Sequence, residues 1–196
     1  MAKHNRLSWA GFRDAAPLHQ RGAAYPVGQI RLMYEQLLVA LDGSPAAERV
    51  LDHVMALASA FGSHVTLLRA TVSPEMVLAE EGVGDATTGQ LAPTIDPEPI
   101  INADADTAVS YLSDVAARLR SRNVNVSMEH PGGPASQVIV ERAAELGASL
   151  ILMTTHGRSG LGRAIFGSVA DDVLRHAPCP VLIVRIPHDD AKATAA

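Results

Sequence analysis

Lysine is all but missing from this chain. Only Lys3 and Lys192 occur, set against fourteen arginines. A P-loop needs G-x-x-x-x-G-K-[ST], and no interior lysine exists to clamp phosphate or form a Schiff base, so both mechanisms are excluded. Cysteine occurs once, as Cys179, which excludes an intrachain disulfide and makes a reducing cytoplasm the expected setting. No apolar run approaches the roughly 18 residues that a bilayer span requires, and residues 1–33 lack the apolar centre of a secretory signal. No membrane association is therefore expected. Excess positive charge is lacking too: a net charge of −5 and a pI near 5.9 argue against general affinity for nucleic acid. Any phosphate site must be local. What remains, 196 residues at 47% hydrophobic, suits one domain of ordinary size with some additional length.

Residues 1–33 show no helical or strand period and read as a flexible extension. The folded pattern starts beyond them. Leu37 to Leu41 form a continuous apolar run, expected as a central strand, and Asp42-Gly43-Ser44-Pro45 stops it. Ser44 as N-cap and Pro45 as first helical residue predict a helix in which Val50, Leu51, Val54, Leu57, Ala58 and Phe61 share a face until Gly62. His64 to Val72 predict a second strand. Ser73 to Asn102 hold no clear period and predict a long loop, either a cover for a site or slack. Asp104 to Arg122 predict a surface helix, and Val124, Val126 and Met128 alternate with polar residues as in an edge strand. Pro134 to Leu146 predict another helix, ended by Gly147.

Leu150 to Met153 then form a short apolar strand that runs into Gly157, Gly160, Gly162 and Gly167. Glycines let backbone N–H groups approach a ligand, so strand, glycine loop and helix start together read as a phosphate cradle. Ser168 is expected to cap a helix from Val169 to Ala177, with Asp171 completing an approximate capping box, and Val181 to Ile186 supply a final strand. Five strands alternating with four helices predict a parallel α/β sheet covered on both faces. Ligands of such sheets bind beyond the strands' carboxyl ends where the winding reverses, which would bring the loop after the first strand beside the glycine loop.

These motifs resemble the universal stress protein family: VALDGS at Val39 to Ser44, THGR at Thr155 to Arg158, a nine-residue spacer, Gly167-Ser168, and HAPCPVLIVR at His176 to Arg185. The resemblance implies a five-stranded, Rossmann-like parallel sheet of order 3-2-1-4-5 over residues 34–187, with a flexible tail at 188–196. The family's ATP-binding branch carries G-x-x-G, nine residues, then G-[ST]. Gly157, Gly167 and Ser168 match it, whereas Thr154 replaces the first glycine, adding a hydroxyl or crowding the nucleotide. By resemblance, Asp42 lies near the ribose or a phosphate-bound magnesium, Val39 and Ala40 beside the base, and Ala70 with Met153 in the adenine slot. Gly157, Gly167 and Ser168 contact phosphates, with Gly160 and Val169 in the same loop and helix start. Ser168 is the other residue expected near a nucleotide-bound magnesium. ATP, ADP and AMP are the expected ligands.

Some residues have plainer roles. Arg158 and Arg163 are the cations of the loop and serve either phosphate or solvent; Asp42 also suits a turn that bonds its own backbone. His156 has no acid or nucleophile that the sequence places beside it, and the eight histidines show no metal-ligand spacing. Cys179, between two prolines, reads as a small buried hydrophobe. The strand Val181 to Ile186 would be an apolar edge, best covered by a second copy of the chain, so a homodimer is expected. The whole implies a cytoplasmic, dimeric, ATP-binding stress-response protein whose nucleotide state changes its surface towards an unknown protein partner, with hydrolysis at most slow. The alternative is a nucleotide-free dimeric interaction module of the same fold.

Overall fold

The structure, a computed structural model, describes residues 34–80, 96–155 and 167–185. The five strands are β1 (Gln36–Ala40), β2 (His64–Leu68), β3 (Asn125–Glu129), β4 (Leu150–Thr154) and β5 (Val181–Val184). They form one parallel sheet of order β3-β2-β1-β4-β5, the order that the family resemblance implies. Around it lie α1 (Leu51–Phe61), entered through a 3-10 turn at Ala47–Val50, then α2 (Pro74–Glu80), α3 (Glu98–Arg120), α4 (Ala135–Glu145) and α5 (Ser168–His176).

Alternation along the strands sorts the core into two layers. Leu37 and Val39 of β1, Val65 and Leu67 of β2, and Leu150 and Leu152 of β4 face α1 and α3, where Val54, Leu112, Val115 and Leu119 meet them. Leu38, Leu68, Ile151 and Met153 point the other way, onto Val138 and Ile139 of α4 and Ala170 and Val173 of α5. Such two-sided burial explains why the central strands are continuously apolar rather than alternating. Each fully buried leucine or isoleucine contributes roughly 1.5–3 kcal/mol of transfer free energy. At the outer β3 edge Val126 is buried while Asn125 is exposed, as its alternating sequence requires.

Four local features differ from the sequence expectation. The first helix does not start at Pro45. Asp42 Oδ1 accepts hydrogen bonds from the Ser44 amide (2.9 Å) and Oγ (2.7 Å), and Ser44 Oγ in turn accepts the Ala47 amide at 3.1 Å. That turn absorbs Pro45, so helical structure begins at Ala47. The second strand ends at Leu68 rather than Val72: past it the Arg69 amide still donates to Glu129 O at 3.1 Å and Thr71 forms an isolated parallel bridge with Gly132, while Asp104 on α3 takes the Arg69 guanidinium and the Val72 amide. The expected long loop is helical at both described ends: Pro74 opens α2, where Ser73 O accepts the amides of Met76 and Val77 at 3.1 Å each, and α3 starts at Glu98. Ser168 is the first helical residue of α5 and not its cap. Gly167 takes the cap position, and Asp171 pairs with Arg175 instead of closing a capping box.

Candidate functional site

The ends of β1, β2 and β4 open into a cavity of about 400 Å³, a size typical of small-ligand sites. It lies where the sheet order reverses, between β1 and β4, as expected for a doubly wound sheet. The first strand supplies Ala40, Leu41 and Asp42, and the β2 exit supplies Leu68, Arg69, Ala70, Thr71 and Val72. β4 supplies Met153, Thr154 and Thr155, while the start of α5 closes that side with Gly167, Ser168, Val169 and Ala170. Met76, Asp104, Gly133, Ala135 and Ile139 complete the described wall.

The residues singled out from sequence therefore fall into three groups. Ala40, Asp42, Ala70, Met153, Thr154, Gly167, Ser168 and Val169 come together around the one cavity. Val39 is fully buried in the core against α1 and α3 and does not line it. Gly157, Arg158 and Gly160, with His156 and Arg163, lie outside the described residues.

The wall is built for close approach at Gly167. Its N–H donates to the Thr155 carbonyl at 2.8 Å, and a Cβ at Gly167 would stand 3.0 Å from the same oxygen. Gly167 has φ −66° and ψ 156°, so contact rather than backbone freedom is what requires glycine. This contact locks the β4 exit to the α5 entrance. Because the Gly167 amide is used in this way, the donors left at this end are the next amides of α5, those of Ser168, Val169 and Ala170, which have no acceptor within the helix. With the helix dipole they favour an anion.

Asp42 is held by Ser44 as described and lines the cavity beyond the end of β1. Behind it, burial pushes the Tyr111 phenol well above its usual range, and the Glu48 and Asp42 carboxylates add to the effect. Thr154 is 7% exposed, pairs with Val184 in the sheet and lines the cavity. Among the described residues no group of three or more His, Cys, Asp or Glu could hold a metal ion.

Sequence reasoning missed Arg69 and Asp104. Arg69 Nη2 donates to Asp104 Oδ1 at 2.8 Å, with the arginine side chain only 4% exposed. Arg69 was hidden inside an apolar run, and Asp104 lies 35 residues away with no spacing to connect them.

The universal stress protein family profile matches residues 33–185. The chain belongs to the universal stress protein family. SH1215 of Staphylococcus haemolyticus is 30% identical over 161 residues, covering 81% of this chain and 90% of that protein. A universal stress protein structure from Burkholderia pseudomallei is 30% identical with a TM-score of 0.58, covering 78% of this chain and 96% of that one. The hypothetical protein MJ0577 shares the fold at a TM-score of 0.66 and 24% identity, over 80% of this chain and 99% of its own. Two more distant universal stress protein structures share the fold at a TM-score of 0.55. One is a complex with cAMP, at 21% identity over 79% of this chain and 98% of that one. The other, from Arabidopsis thaliana with AMP bound, is 15% identical over 80% of this chain and 94% of that one.

Proposed function

We propose that this universal stress protein binds an adenine nucleotide in the cavity at the ends of β1, β2 and β4. The observation that carries the reading is the convergence of Asp42, Ala70 and Met153 with the unbonded amides at the start of α5 around one cavity at the sheet's switch point. Apolar walls suit a ring, a carboxylate suits ribose hydroxyls, and a helix N-terminus suits phosphate. Relatives of the same fold in complex with AMP and with cAMP support the reading. Gly157, Arg158 and Gly160 are assigned to the phosphate side from the sequence motif they share with the family, and magnesium to the phosphate oxygens beside Asp42 and Ser168.

Hydrolysis in this site is slow at most. Acceleration of phosphoryl transfer rests on positioned bases, cationic clamps and arginine fingers. The sequence offers no lysine for the clamp, and Asp42 is engaged by Ser44. The nucleotide therefore acts as a signal that alters the surface offered to a protein partner in the cytoplasm. β5 supports a homodimer: among the described residues it pairs only with β4, its four residues are all partly exposed, and a two-fold copy would extend the sheet there. Among the described residues no helix is long and apolar enough to cross a membrane.

Calorimetric titration with ATP, ADP, AMP and cAMP, each with and without magnesium, tests the ligand. Binding of at least one of them is expected, and heat from none would end the reading. Light scattering tests the assembly, where a dilute monomer would contradict the β5 pairing.

A further inference from the structure

The β2 exit is held by a side chain where a neighbouring strand would otherwise stand. In an extended chain successive backbone N–H groups point to opposite edges. The Arg69 and Thr71 amides point to the β3 side, where Glu129 O and Pro131 O accept them at 3.1 and 3.0 Å. By that alternation the Ala70 and Val72 amides point the other way, towards β1. There β1 ends at Ala40, and among the described residues the Leu41 amide, on Leu68 O at 2.9 Å, makes the last backbone bond to this edge. Past it Asp104 of α3 takes over, and its Oδ2 accepts the Val72 amide at 3.0 Å. Ala70 lies between those two bonds and lines the cavity.

The carboxylate that bounds this gap is itself fixed. Asp104 Oδ1 accepts Arg69 Nη2 at 2.8 Å, and the arginine side chain is 4% exposed. A buried cation parted from its counter-ion is strongly unfavourable, so Arg69 keeps Asp104 in place. Asp104 therefore grips both ends of one short stretch, Arg69 and Val72, with Ala70 and Thr71 spanned between them. At about 3.3 Å per residue the edge from Leu68 to Val72 is about 13 Å long, enough to receive a flat ring. β1 separates β2 from β4, so at about 4.8 Å between neighbouring strands this gap lies about 10 Å from the side where α5 begins. A nucleotide whose phosphate rests on the α5 amides reaches the gap with its base.

We propose that Asp104 is a positioning residue of the nucleotide site: by clamping Arg69 and Val72 it fixes the stretch that carries Ala70, and so sets the opening into which the base fits. The proposal rests on the nucleotide reading above. Asp104 acts through the β2 exit and not by touching the nucleotide. Its loss weakens binding even where the fold is kept.

Calorimetry with ATP and AMP, beside thermal melting, tests it on the unaltered protein, on Asp104→Asn and on Arg69→Met/Asp104→Leu. The asparagine offers one acceptor oxygen, so it holds Arg69 or Val72 but not both. Both nucleotides should bind it about tenfold or more weakly. The double variant carries neither charge, and an apolar pair in place of a buried ion pair leaves no lone charge to destabilise the fold. It should melt close to the unaltered protein and still bind both nucleotides about tenfold or more weakly, because the Val72 amide has lost its acceptor. A pair that served stability alone would give back melting temperature and affinity together. Unchanged nucleotide affinity in Asp104→Asn, or in the double variant, overturns the proposal. One further measurement needs no variant to fold. By NMR hydrogen exchange, the Val72 amide of the unaltered, nucleotide-bound protein should exchange about tenfold or more slowly than an unbonded amide, and exchange as fast as an unbonded amide overturns the proposal as well. Failure of the nucleotide reading looks different, because the unaltered protein would then give no heat with either nucleotide, and the proposal would fall with it.

Discussion

Gly167→Ala isolates the contact that joins the β4 exit to the α5 entrance. The backbone at Gly167 is acceptable to any residue, so alanine brings no dihedral penalty, only a methyl group 3.0 Å from the Thr155 carbonyl oxygen. That oxygen cannot simply withdraw. It accepts the Gly167 amide at 2.8 Å, and the Thr155 amide is itself donated to Val184 O on β5 at 3.1 Å. Relief must come from separating β4 and α5 by a few tenths of an ångström, or from rotating a peptide that the sheet holds. Overpacking of this kind costs roughly 1–3 kcal/mol. At roughly 2–4 °C per kcal/mol for a domain of this size, melting should fall by several degrees. ATP affinity should fall by about tenfold or more, since the α5 amides move with the helix. Gly147→Ala is the control: Gly147 has φ +59° and nothing within 4 Å of an added Cβ, so it carries a left-handed backbone penalty of roughly 1–2 kcal/mol and no steric one. It should lower the melting temperature comparably but leave nucleotide affinity unchanged. Thermal denaturation and calorimetry on both variants decide the matter. Gly167→Ala with an unaltered melting temperature and an unaltered affinity would refute the argument that close approach is what this glycine provides.

Other perturbations probe separate parts of the structure. Ser63→Ala removes a buried hydroxyl with no hydrogen-bond partner and should raise stability by about 1 kcal/mol in urea denaturation; a loss of that size would mean the hydroxyl is satisfied in solution. Ile151→Ala truncates a fully buried side chain of β4 and should cost about 2–5 kcal/mol, measured in the same way. Thr154→Gly should cost about 1–2 kcal/mol through loss of a strand-forming side chain, and ATP affinity should change less than about tenfold. Appearance of binding that the parent lacks would instead favour a nucleotide-free module with Thr154 as its block. Burial pushes the Cys179 thiol up, against a smaller opposing effect of its hydrogen bond with the Ile151 backbone. The folded thiol therefore holds its proton longer than an unfolded one. Its contribution to stability is present below the ordinary thiol range of about 8.5 and lost as pH rises through the raised folded value. Alkylation by iodoacetamide at pH 8 should be slower folded than in urea, and equal rates would contradict the burial argument.

The sheet was legible because burial on both faces leaves a mark that survives at the level of residues. Leu37 to Leu41 and Leu150 to Met153 are apolar throughout since each side chain meets one helical layer or the other, and Val124 to Glu129 alternate since β3 is an edge. What escaped notice was set by contacts distant in sequence. HVTLLRATV reads as one strand, yet past Leu68 the regular ladder gives way to an isolated bridge at Thr71, where Asp104 on α3 takes the Arg69 guanidinium and the Val72 amide. The α2 start was visible in principle, since Ser73-Pro74-Glu75 repeats the Ser-Pro signature of Ser44-Pro45, but the proline- and glycine-containing stretch beyond it obscured the period. Ser44-Pro45 shows the converse: Asp42 diverts the serine into a turn, so the same signature does not open a helix at Pro45. In the cavity, Asp42, Ala70, Met153 and Ser168 could be brought together from family motifs, because strand ends converge by topology alone. The Arg69–Asp104 pair could not, since it depends on how α3 packs across the β2 exit.

The central claim is that the cavity binds an adenine nucleotide, and the most direct measurement is calorimetric titration of the full chain with ATP in the presence of magnesium. A saturable, one-to-one isotherm per chain, weakened about tenfold or more by Gly167→Ala, is the predicted result. An absence of heat with ATP, ADP, AMP and cAMP alike, from a protein that still melts cooperatively, would contradict the account.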